Sequence, residues 1–204
     1  MKGCLITFEG VDGSGKSTQA SLLQEYLSTL GRSVFLLREP GGTEIGESIR
    51  SILLDTDHDD MSPWTEVFLY LAARAQITFQ VISPALSVGE CVILDRFMDS
   101  TTAYQGHARG LGMEETIRLN LLATGGIIPD ITFFIDCDPA VALSRVSGEP
   151  DRLESEGLTF MRSVRDGFLR LCDTDRKRMR LIDGNREINV IHNDIQAIIN
   201  NDNI

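Results

Sequence analysis

The stretch Gly10-Val11-Asp12-Gly13-Ser14-Gly15-Lys16-Ser17 decides how the rest of the chain is interpreted, because it fits the pattern G-x-x-x-x-G-K-[ST]. Its three glycines let the backbone fold into a concave loop whose N–H groups point inward at anionic oxygens. The helix expected after the loop adds its positive N-terminal end. The pattern therefore predicts a phosphate-binding loop, or P-loop, for a nucleoside triphosphate. It leaves the reaction open.

The residues around this loop favour a strand before it and a helix after it. Leu5-Ile6-Thr7-Phe8 is a short apolar run of strand type. From Thr18 to Leu30, apolar residues recur at helical spacing, and Gly31 is a typical helix stop. Strand, loop and helix therefore agree with the loop pattern.

Strands and helices continue to alternate along the chain, which predicts an open parallel sheet. Further strands are expected at residues 34–37, 91–94, 131–135 and 181–182. Further helices are expected after Thr43 as N-cap, from Ser62 to a kink or end at Pro84, at 113–123, from Pro139, at 160–179 and at 188–199. We predict an α/β fold, a P-loop three-layer sandwich with helices on both faces of a five-stranded parallel sheet.

The chain length favours one domain over residues 1–204, because this is an ordinary size for a single α/β domain. One segment has loop character and is flanked by Arg145 and Arg152. It is Val146-Ser147-Gly148-Glu149-Pro150-Asp151. Such an arginine-bearing segment predicts a short mobile flap, near residues 145–156, over a phosphate site.

The composition limits the class of partner and the compartment. The 30 acidic and 19 basic side chains give a net charge of −11, which disfavours a nucleic-acid polymer as partner. No apolar run approaches the length of a membrane span, so no membrane partner is expected. Because Met1-Lys2-Gly3-Cys4 leads directly into the first strand, we expect no signal peptide and a cytoplasmic location.

The four cysteines, Cys4, Cys91, Cys137 and Cys172, are far apart in the sequence, and three of them lie in or beside predicted strands. This placement suits small buried thiols in a reducing compartment better than a disulfide framework. The three histidines are equally scattered. We therefore expect no zinc site.

Charged residues follow two of the predicted strands, and in an open α/β sheet ligands collect at the edge formed by the carboxyl ends of the strands. Arg38 and Glu39 follow the second strand, and Arg50 lies in the next helix. Asp95 follows the third strand, where P-loop enzymes have the acidic residue that holds the Mg²⁺ shell, although an aspartate there can also cap a helix. The predicted metal-binding residues are Ser17 and Asp95.

Several segments, in order over nearly the whole chain, resemble the bacterial thymidylate kinases of the nucleoside monophosphate kinase group. They are Phe8-Glu9-Gly10-Val11-Asp12-Gly13-Ser14-Gly15-Lys16-Ser17, Arg38-Glu39-Pro40-Gly41-Gly42-Thr43 with Gly46-Glu47 and Arg50, Ala72-Ala73-Arg74, Asp95-Arg96-Phe97 with Ser100 and Ala103-Tyr104-Gln105-Gly106, and Pro129-Asp130. The Arg-Glu-Pro-Gly-Gly-Thr and Asp-Arg-Phe segments are the specific ones, since a P-loop alone does not identify a substrate.

The resemblance implies transfer of the γ-phosphoryl group of MgATP to thymidine monophosphate, giving the diphosphate for dTTP biosynthesis. ATP and thymidine monophosphate are then the partners, and Mg²⁺ is the cofactor. The implied ATP-binding residues are Gly10, Val11, Asp12, Gly13, Ser14, Gly15, Lys16 and Ser17. A phosphate monoester has its second pKa at about 6, so the acceptor oxygen is largely ionised at neutral pH and needs no general base.

The resemblance also implies how the acceptor nucleotide is bound. Arg50, Arg96 and Arg38 would grip its phosphate. Arg74 and Gln105 would hydrogen-bond the thymine edge, with Thr101 nearby. Tyr70 would stack on the base, where the family usually has phenylalanine, although core packing also explains this residue. The implied substrate-binding residues are Arg38, Glu39, Arg50, Tyr70, Arg74, Arg96, Thr101 and Gln105.

The implied catalytic residues are Asp12, Lys16, Arg96, Arg145 and Arg152. Asp12 would lie near the sugar 3′-hydroxyl and the metal shell, and Lys16 would reach the β- and γ-phosphates. Because the variable P-loop positions carry no arginine, the flap is expected to supply charge to the transferring phosphoryl group. We expect Arg152 to do so, with Arg145 as its partner or as a contact on the adenine side.

Two alternatives stay open. A kinase for another nucleotide or for a nucleoside would share the fold, and a nucleoside kinase would use Glu9 or Glu39 as base. A nucleotide-dependent switch or inactive binding module is the second alternative, although the Asn-Lys-x-Asp element of GTPases is absent from the sequence. The resemblance also implies a homodimer, for which the apolar positions of the helix from Ser62 to Leu86 are the expected interface.

Overall fold

The computed structural model describes residues 3–202, and its centre is a five-stranded parallel sheet. The strands are β1 (Cys4–Glu9), β2 (Val34–Arg38), β3 (Cys91–Asp95), β4 (Ile131–Asp136) and β5 (Met179–Asp183). Their order is β2-β3-β1-β4-β5, so β1 lies in the middle. The predicted α/β fold is confirmed, and each predicted strand lies within an observed one.

Helices connect the strands. They are α1 (Lys16–Thr29), α2 (Glu44–Leu54), α3 (Pro63–Ile77), α4 (Ser83–Ser87), α5 (Met98–Thr101), α6 (Met113–Ala123), α7 (Pro139–Leu143), α8 (Gly157–Thr174) and α9 (Ile188–Asp202). Thr78–Ile82 and Thr102–Ala108 are π-helical, and Thr56–His58 and Glu154–Glu156 form 3-10 turns. Within the part of the chain that the structure describes, no helix combines the length and the apolar character that a bilayer span requires.

Alternate side chains of the strands pack against helices on opposite faces of the sheet. Ile6 of β1 packs with Leu23 of α1 and Ile195 of α9, and all three are buried. Its neighbour Leu5 packs on the other face with Ile77 of α3. Helices thus cover both faces, which confirms the three layers.

Two helices begin at the side-chain caps that were predicted for them. Thr43 Oγ1 accepts the Gly46 N–H at 2.9 Å and begins α2. Ser62 caps α3, with Pro63 at its first position. Proline suits this position because the first N–H groups of a helix have no partner within it.

At Pro84, where a kink or an end is predicted, the structure has an interruption: α3 stops at Ile77, and α-helical backbone resumes at Ser83 after the π-helical turn and continues to Ser87. The π-helical turn just before Pro84 changes the hydrogen-bond register where the proline lacks its N–H, and Ser83 N–H bonds to Thr78 O. The helix predicted over 160–179 ends at Thr174, because Asp175 leaves the helical conformation and begins a turn into β5.

The parallel register brings the carboxyl ends of the central strands together. Phe8 of β1 is level with Asp95 of β3 and with Phe133 of β4, and Arg38 of β2 is also level with Asp95. The loop that follows β1 therefore lies beside the residues that follow β3.

Candidate active site

The P-loop connects β1 to α1 and contains glycines at positions where other residues would be strained. Gly13 has φ of 79°, and a Cβ there would lie 2.0 Å from the carbonyl oxygen of Ala142. Gly15 has φ of 99° and is the N-cap of α1. Both positive φ angles fall in the left-handed region, which glycine adopts without strain. The loop thus opens the N-terminus of α1 to a ligand.

Asp12 sits between two cations. Its Oδ1 accepts hydrogen bonds from Lys16 Nζ at 2.9 Å and from Arg96 Nη2 at 2.8 Å. Burial alone would raise the pKa of Asp12, but the charges of Arg96 and Lys16 outweigh burial and hold this pKa well below its usual range. An ionised Asp12 therefore fixes both cations beside each other.

Arg96 has a strained backbone. Its φ is 69°, and it is the one non-glycine residue among residues 3–202 with a positive φ. Such a conformation costs about 1–3 kcal/mol and persists where the surroundings determine it, often at functional sites. The Arg96 N–H donates to Phe8 O at 2.9 Å, and its guanidinium lies 5.2 Å from the centre of the Tyr104 ring.

Glu9, at the end of β1, holds the segment that carries Arg96. Its Oε1 accepts the backbone N–H groups of Phe97 (2.8 Å) and Ser100 (3.2 Å), and its Oε2 lies 2.5 Å from Ser100 Oγ. Ser100 Oγ also accepts from Arg96 Nη1 at 3.1 Å. Burial, helped by the charge of Asp99, raises the pKa of Glu9 to about 8. Glu9 is thus mostly protonated at neutral pH.

A cavity opens beside Asp12 and Arg96, and we call it the acceptor cavity. It is lined by Asp12, Glu39, Pro40, Arg50, Leu54, Tyr70, Arg74, Arg96, Ser100, Thr101, Tyr104, Gln105, Asp151 and Leu153. Seven of the eight predicted substrate-binding residues are among them. The eighth, Arg38, lies outside, where its exposed guanidinium pairs with Glu47 at 3.0 Å.

Arg50 and Arg96 are the arginines of this cavity that keep donors available for an anion. Arg50 Nη1 donates to Pro40 O at 3.0 Å, the one hydrogen bond that its side chain makes to described residues. Burial lowers the pKa of Arg50, and the charge of Arg38 adds to this effect. A cation that is short of partners in a cavity is well suited to bind a phosphate.

Arg74, in contrast, uses all five N–H groups inside the protein. Nε and Nη2 donate to Glu39 Oε2 at 2.8 and 2.6 Å, and Nη2 also donates to Phe97 O at 3.1 Å. Nη1 donates to Thr101 Oγ1 at 2.8 Å and to Asn120 Oδ1 at 2.5 Å. A base could bond to Arg74 only by replacing one of these partners.

Glu39 retains a free acceptor beside this arginine. Its Oε1 is buried and has no hydrogen-bond partner among the described residues. Burial raises the pKa of Glu39 against the opposing charge of Arg74. The cavity therefore offers an unpaired carboxyl oxygen as well as cations.

A second cavity lies over the P-loop, and we call it the donor cavity. It is lined by Gly13, Ser14, Gly15, Lys16, Ser17, Thr18, Gln19, Arg145, Gly184, Asn185, Arg186, Glu187, Ile188 and Ile191. Arg145 Nη1 lies 3.4 Å from Gly13 O and 3.3 Å from Gly184 O. Of the two predicted flap arginines, only Arg145 lines this cavity.

Arg152 is not among the residues that line either cavity, although its neighbours Asp151 and Leu153 line the acceptor cavity. Its Nε donates to Leu53 O at 2.8 Å, its N–H donates to Leu54 O at 3.3 Å, and its Nη2 is 2.6 Å from Glu66 Oε2. The residue is 7 % exposed. In this conformation Arg152 ties the predicted flap to α2 and α3, and its guanidinium would have to leave Glu66 to reach a phosphoryl group.

Ser17 and Asp95 fit the metal-binding role predicted for them. Ser17 Oγ donates to Asp95 Oδ2 at 2.5 Å. Asp95 Oδ1 is buried without a hydrogen-bond partner in the described chain. A hydroxyl and a carboxylate are hard oxygen ligands, which Mg²⁺ prefers, and an unpaired buried oxygen is the kind of group that an ion would satisfy.

Glu66 and Tyr104 are site residues that were not predicted from the sequence. Glu66 carries no part of the family resemblance, but it is one and two helical turns from Tyr70 and Arg74, and this i, i+4, i+8 spacing on α3 could have revealed it. Tyr104 lies in the π-helical segment and lines the acceptor cavity with a buried hydroxyl that lacks a partner among residues 3–202.

Comparison with known proteins places the chain in a family. The family model described as "Thymidylate kinase" matches residues 8–195. A thymidylate kinase of Thermoanaerobacter sp. (strain X514) is 47 % identical over 200 residues, which cover 98 % of each chain. A thymidylate kinase of Caldanaerobacter subterraneus subsp. tengcongensis is 49 % identical over 193 residues, or 94 % of this chain and 92 % of that protein.

A solved structure extends the comparison to three dimensions. The crystal structure of thymidylate kinase from Ehrlichia chaffeensis superposes with a TM-score of 0.82 and 34 % identity, covering 98 % of this chain and 100 % of that one. Sequence and fold therefore agree over nearly the whole length, and this chain belongs to the thymidylate kinase family.

Proposed function

We propose that this protein transfers the γ-phosphoryl group of MgATP to thymidine monophosphate and releases ADP and thymidine diphosphate. The observation that carries the proposal is the Lys16–Asp12–Arg96 arrangement, in which one carboxylate oxygen holds a P-loop cation and an acceptor-cavity cation within 3 Å of itself. Lys16 lines the donor cavity, and Asp12 and Arg96 line the acceptor cavity, so the two cavities are adjacent at this ion pair. Two phosphates drawn to these cations would approach each other there.

The transfer itself asks for alignment and charge neutralisation. The acceptor phosphate is already largely ionised at neutral pH, so no side chain has to remove a proton. Arg50 and Arg96 hold that phosphate, while Lys16 and the P-loop N–H groups hold the donor. Holding both groups in line and stabilising the charge that develops between them lowers the barrier.

Ser17 and Asp95 would hold the Mg²⁺ ion of MgATP, since their oxygens fit that role. When bound, the ion neutralises negative charge on the phosphates. Arg145 lies on the donor side and contacts ATP there. We assign the short flap over residues 145–156 to closing the site, and charge from Arg152 would require release of its guanidinium from Glu66.

At the base end, Tyr70, Thr101 and Gln105 are the proposed contacts of thymine. Arg74 supports them by donating to Thr101 Oγ1 and by neutralising Glu39. Thr101 Oγ1 accepts from Arg74, so its own hydrogen is available to an acceptor on the base.

We further propose that residues 1–204 act as one P-loop kinase domain, in the cytoplasm, and as a homodimer. The four cysteines are free and buried, as is usual in a reducing compartment. The apolar face that the dimer would use carries Trp64, Phe68 and Phe79, which are 41 %, 56 % and 80 % exposed in the single chain.

The test is ADP release from MgATP by the purified protein in separate reactions. Four of them contain a nucleoside monophosphate, namely that of thymidine, deoxyuridine, deoxycytidine or uridine. A fifth contains the nucleoside thymidine, and a sixth has no acceptor. Turnover restricted to thymidine monophosphate and its deoxyuridine analogue supports the proposal. Equal ADP release without an acceptor would instead indicate a nucleotide hydrolase or switch. Phosphorylation of thymidine itself would indicate a nucleoside kinase, with Glu39 as the available base.

A further inference from the structure

Glu66 is a buried carboxylate next to the acceptor cavity, and it binds three different side chains. It is 1 % exposed. Its Oε1 accepts from Gln105 Nε2 at 2.8 Å and from Arg109 Nε at 2.8 Å. Its Oε2 lies 3.1 Å from Arg109 Nη2 and 2.6 Å from Arg152 Nη2. Two guanidinium groups therefore flank one carboxylate.

These partners keep Glu66 an acceptor only. Burial would raise its pKa, but the hydrogen bonds and charge of Arg109, with help from Gln105 and Arg152, lower it. An ionised carboxylate has no hydrogen to donate. The Gln105 amide can therefore meet Glu66 only with its NH₂ group, and not with its carbonyl oxygen.

The orientation of Gln105 follows from this constraint. Its NH₂ group is held by Glu66, and its carbonyl oxygen accepts no hydrogen bond from any residue between 3 and 202. Gln105 also lines the acceptor cavity. The contact with Glu66 takes one of the two amide hydrogens, and the carbonyl oxygen, which has no partner among residues 3–202, is the acceptor that a ligand can meet there.

An acceptor at this position distinguishes pyrimidines by the state of N3. Thymine and uracil carry a hydrogen on N3 and can donate it to the Gln105 oxygen. Cytosine has a bare N3, which would face the same oxygen as a second acceptor. We propose that Glu66 is a positioning residue that gives the acceptor cavity its preference for thymine-type over cytosine-type bases, by fixing the Gln105 amide. This inference rests on the proposed function.

The test compares Glu66→Gln with wild-type protein in thymidine and deoxycytidine monophosphate phosphorylation. The variant keeps the shape of the side chain but can also donate, so it no longer imposes one orientation on Gln105. We expect the ratio of kcat/KM for the two acceptors to fall by about tenfold or more, mainly through KM, as for other mismatched buried polar groups. The KM for ATP should change little.

Glu156→Gln is the matched control. Glu156 pairs with Arg109 at 2.6 Å but does not touch Gln105, so its loss removes one charge from the same network. The acceptor ratio should stay at the wild-type value. A double-mutant cycle with Gln105→Met adds a second check, because Glu66→Gln should have no further effect on the ratio once the amide is gone.

The inference also has a test that needs no variant of Glu66. In wild-type protein, the side-chain NH₂ resonances of Gln105, assigned by their loss in Gln105→Met, should exchange slowly with solvent before and after thymidine monophosphate binds. Rapid exchange in the free protein, or an unchanged acceptor ratio in a folded Glu66→Gln variant, would overturn the role of Glu66. Lack of any acceptor-dependent turnover by wild-type protein would refute the proposed function instead.

Discussion

Arg96 Nη2 lies 2.8 Å from Asp12 Oδ1 and so ties the residue after β3 to the P-loop, 84 positions earlier in the chain. The same oxygen accepts from Lys16 Nζ. The ion pair is only partly buried, with side-chain exposures of 15 % for Arg96 and 31 % for Asp12. Asp12 and Arg96 line the acceptor cavity, and Lys16 lines the donor cavity, so this carboxylate links the two cavities.

Replacing Arg96 should remove activity and spare the fold. We expect Arg96→Ala to lower kcat/KM for thymidine monophosphate by about 10³-fold or more, because the arginine supplies charge where phosphoryl transfer takes place. Steady-state kinetics measures the loss. Arg170→Ala, at an exposed ion pair with Asp166, is the control and should behave as wild type. Activity of Arg96→Ala within tenfold of wild type would contradict the assignment.

The strained backbone of Arg96 predicts a difference in stability between two substitutions at this position. Glycine adopts a φ of 69° freely, whereas alanine does not. Arg96→Gly should therefore be as inactive as Arg96→Ala but more stable than it by about 1 kcal/mol in denaturant unfolding.

Glu9 should make stability depend on pH. Its pKa in the folded protein is about 8, against an ordinary value of 4.5, so between these values the folded state binds more protons than the unfolded state. The free energy of unfolding should then decrease as pH rises through this window, by at most about 1.4 kcal/mol per pH unit. Denaturant unfolding at pH 5, 6.5 and 8 gives the slope.

Glu9→Gln isolates this contribution, because glutamine resembles the protonated acid. The difference in stability between variant and wild type should change in favour of the variant as pH rises. A difference that stays constant from pH 5 to 8 would show that Glu9 is not the group responsible.

Arg74 should contribute mainly to the stability of the fold and less to direct binding of the base. Arg74→Gln leaves the Glu39 carboxylate buried without its cation and removes the donors to Thr101 and Asn120. Breaking a buried pair in this way costs about 3–5 kcal/mol, which thermal or chemical unfolding would show. Arg118→Gln, whose side chain is 74 % exposed, is the control with little expected effect. Full stability together with a raised KM would favour a direct contact with the base.

Substitutions of the two flap arginines should have different effects on substrate binding and on stability. Arg145→Ala should raise the KM for ATP with little change in stability, because Arg145 lines the donor cavity. Arg152→Ala should lower stability and raise the KM for the acceptor, because it frees Glu66 and the end of α2. Kinetics with each substrate varied in turn, together with unfolding curves, distinguishes the two. A loss confined to kcat in Arg152→Ala would restore the transition-state role predicted for it.

The apolar face of α3 should decide the oligomeric state. Phe68 stacks on Trp64 with ring centroids 6.0 Å apart, and both are exposed. Phe68→Glu should convert the proposed dimer into a monomer in light scattering after gel filtration, because a charge there would be buried by the partner. Leu122→Glu, at an exposed leucine of α6, should leave the mass unchanged. A wild-type monomer would refute the dimer.

The fold was predictable because its signals are local. The glycines of the P-loop, the Thr43 and Ser62 caps and the apolar strands each act through near neighbours, and all agree with the structure. The end of α8 was missed because the turn at Asp175 is supported by Arg178, which also reaches Asp99 and Thr132 across the fold. Contacts of that range leave no local pattern.

The same limit applies to the site. The family resemblance selected residues that gather in one cavity, as with Tyr70 and Gln105. It did not reveal that the donors of Arg74 are all used or that Arg152 is paired with Glu66. Whether an arginine faces a ligand or a carboxylate depends on which distant side chains fold against it.

The central place of β1 has a consequence for synthesis on the ribosome. β1 is made before both of its neighbours in the sheet, and Ile6 pairs with Ile131, 125 positions later. At about 5–20 residues per second, β1 waits roughly 6–25 s for its second neighbour strand to be translated. During that interval one edge of the strand before the P-loop stays open. The donor-cavity residues Gly184 to Ile191 are translated later still, so the nascent chain completes its nucleotide site only after β5 has been made.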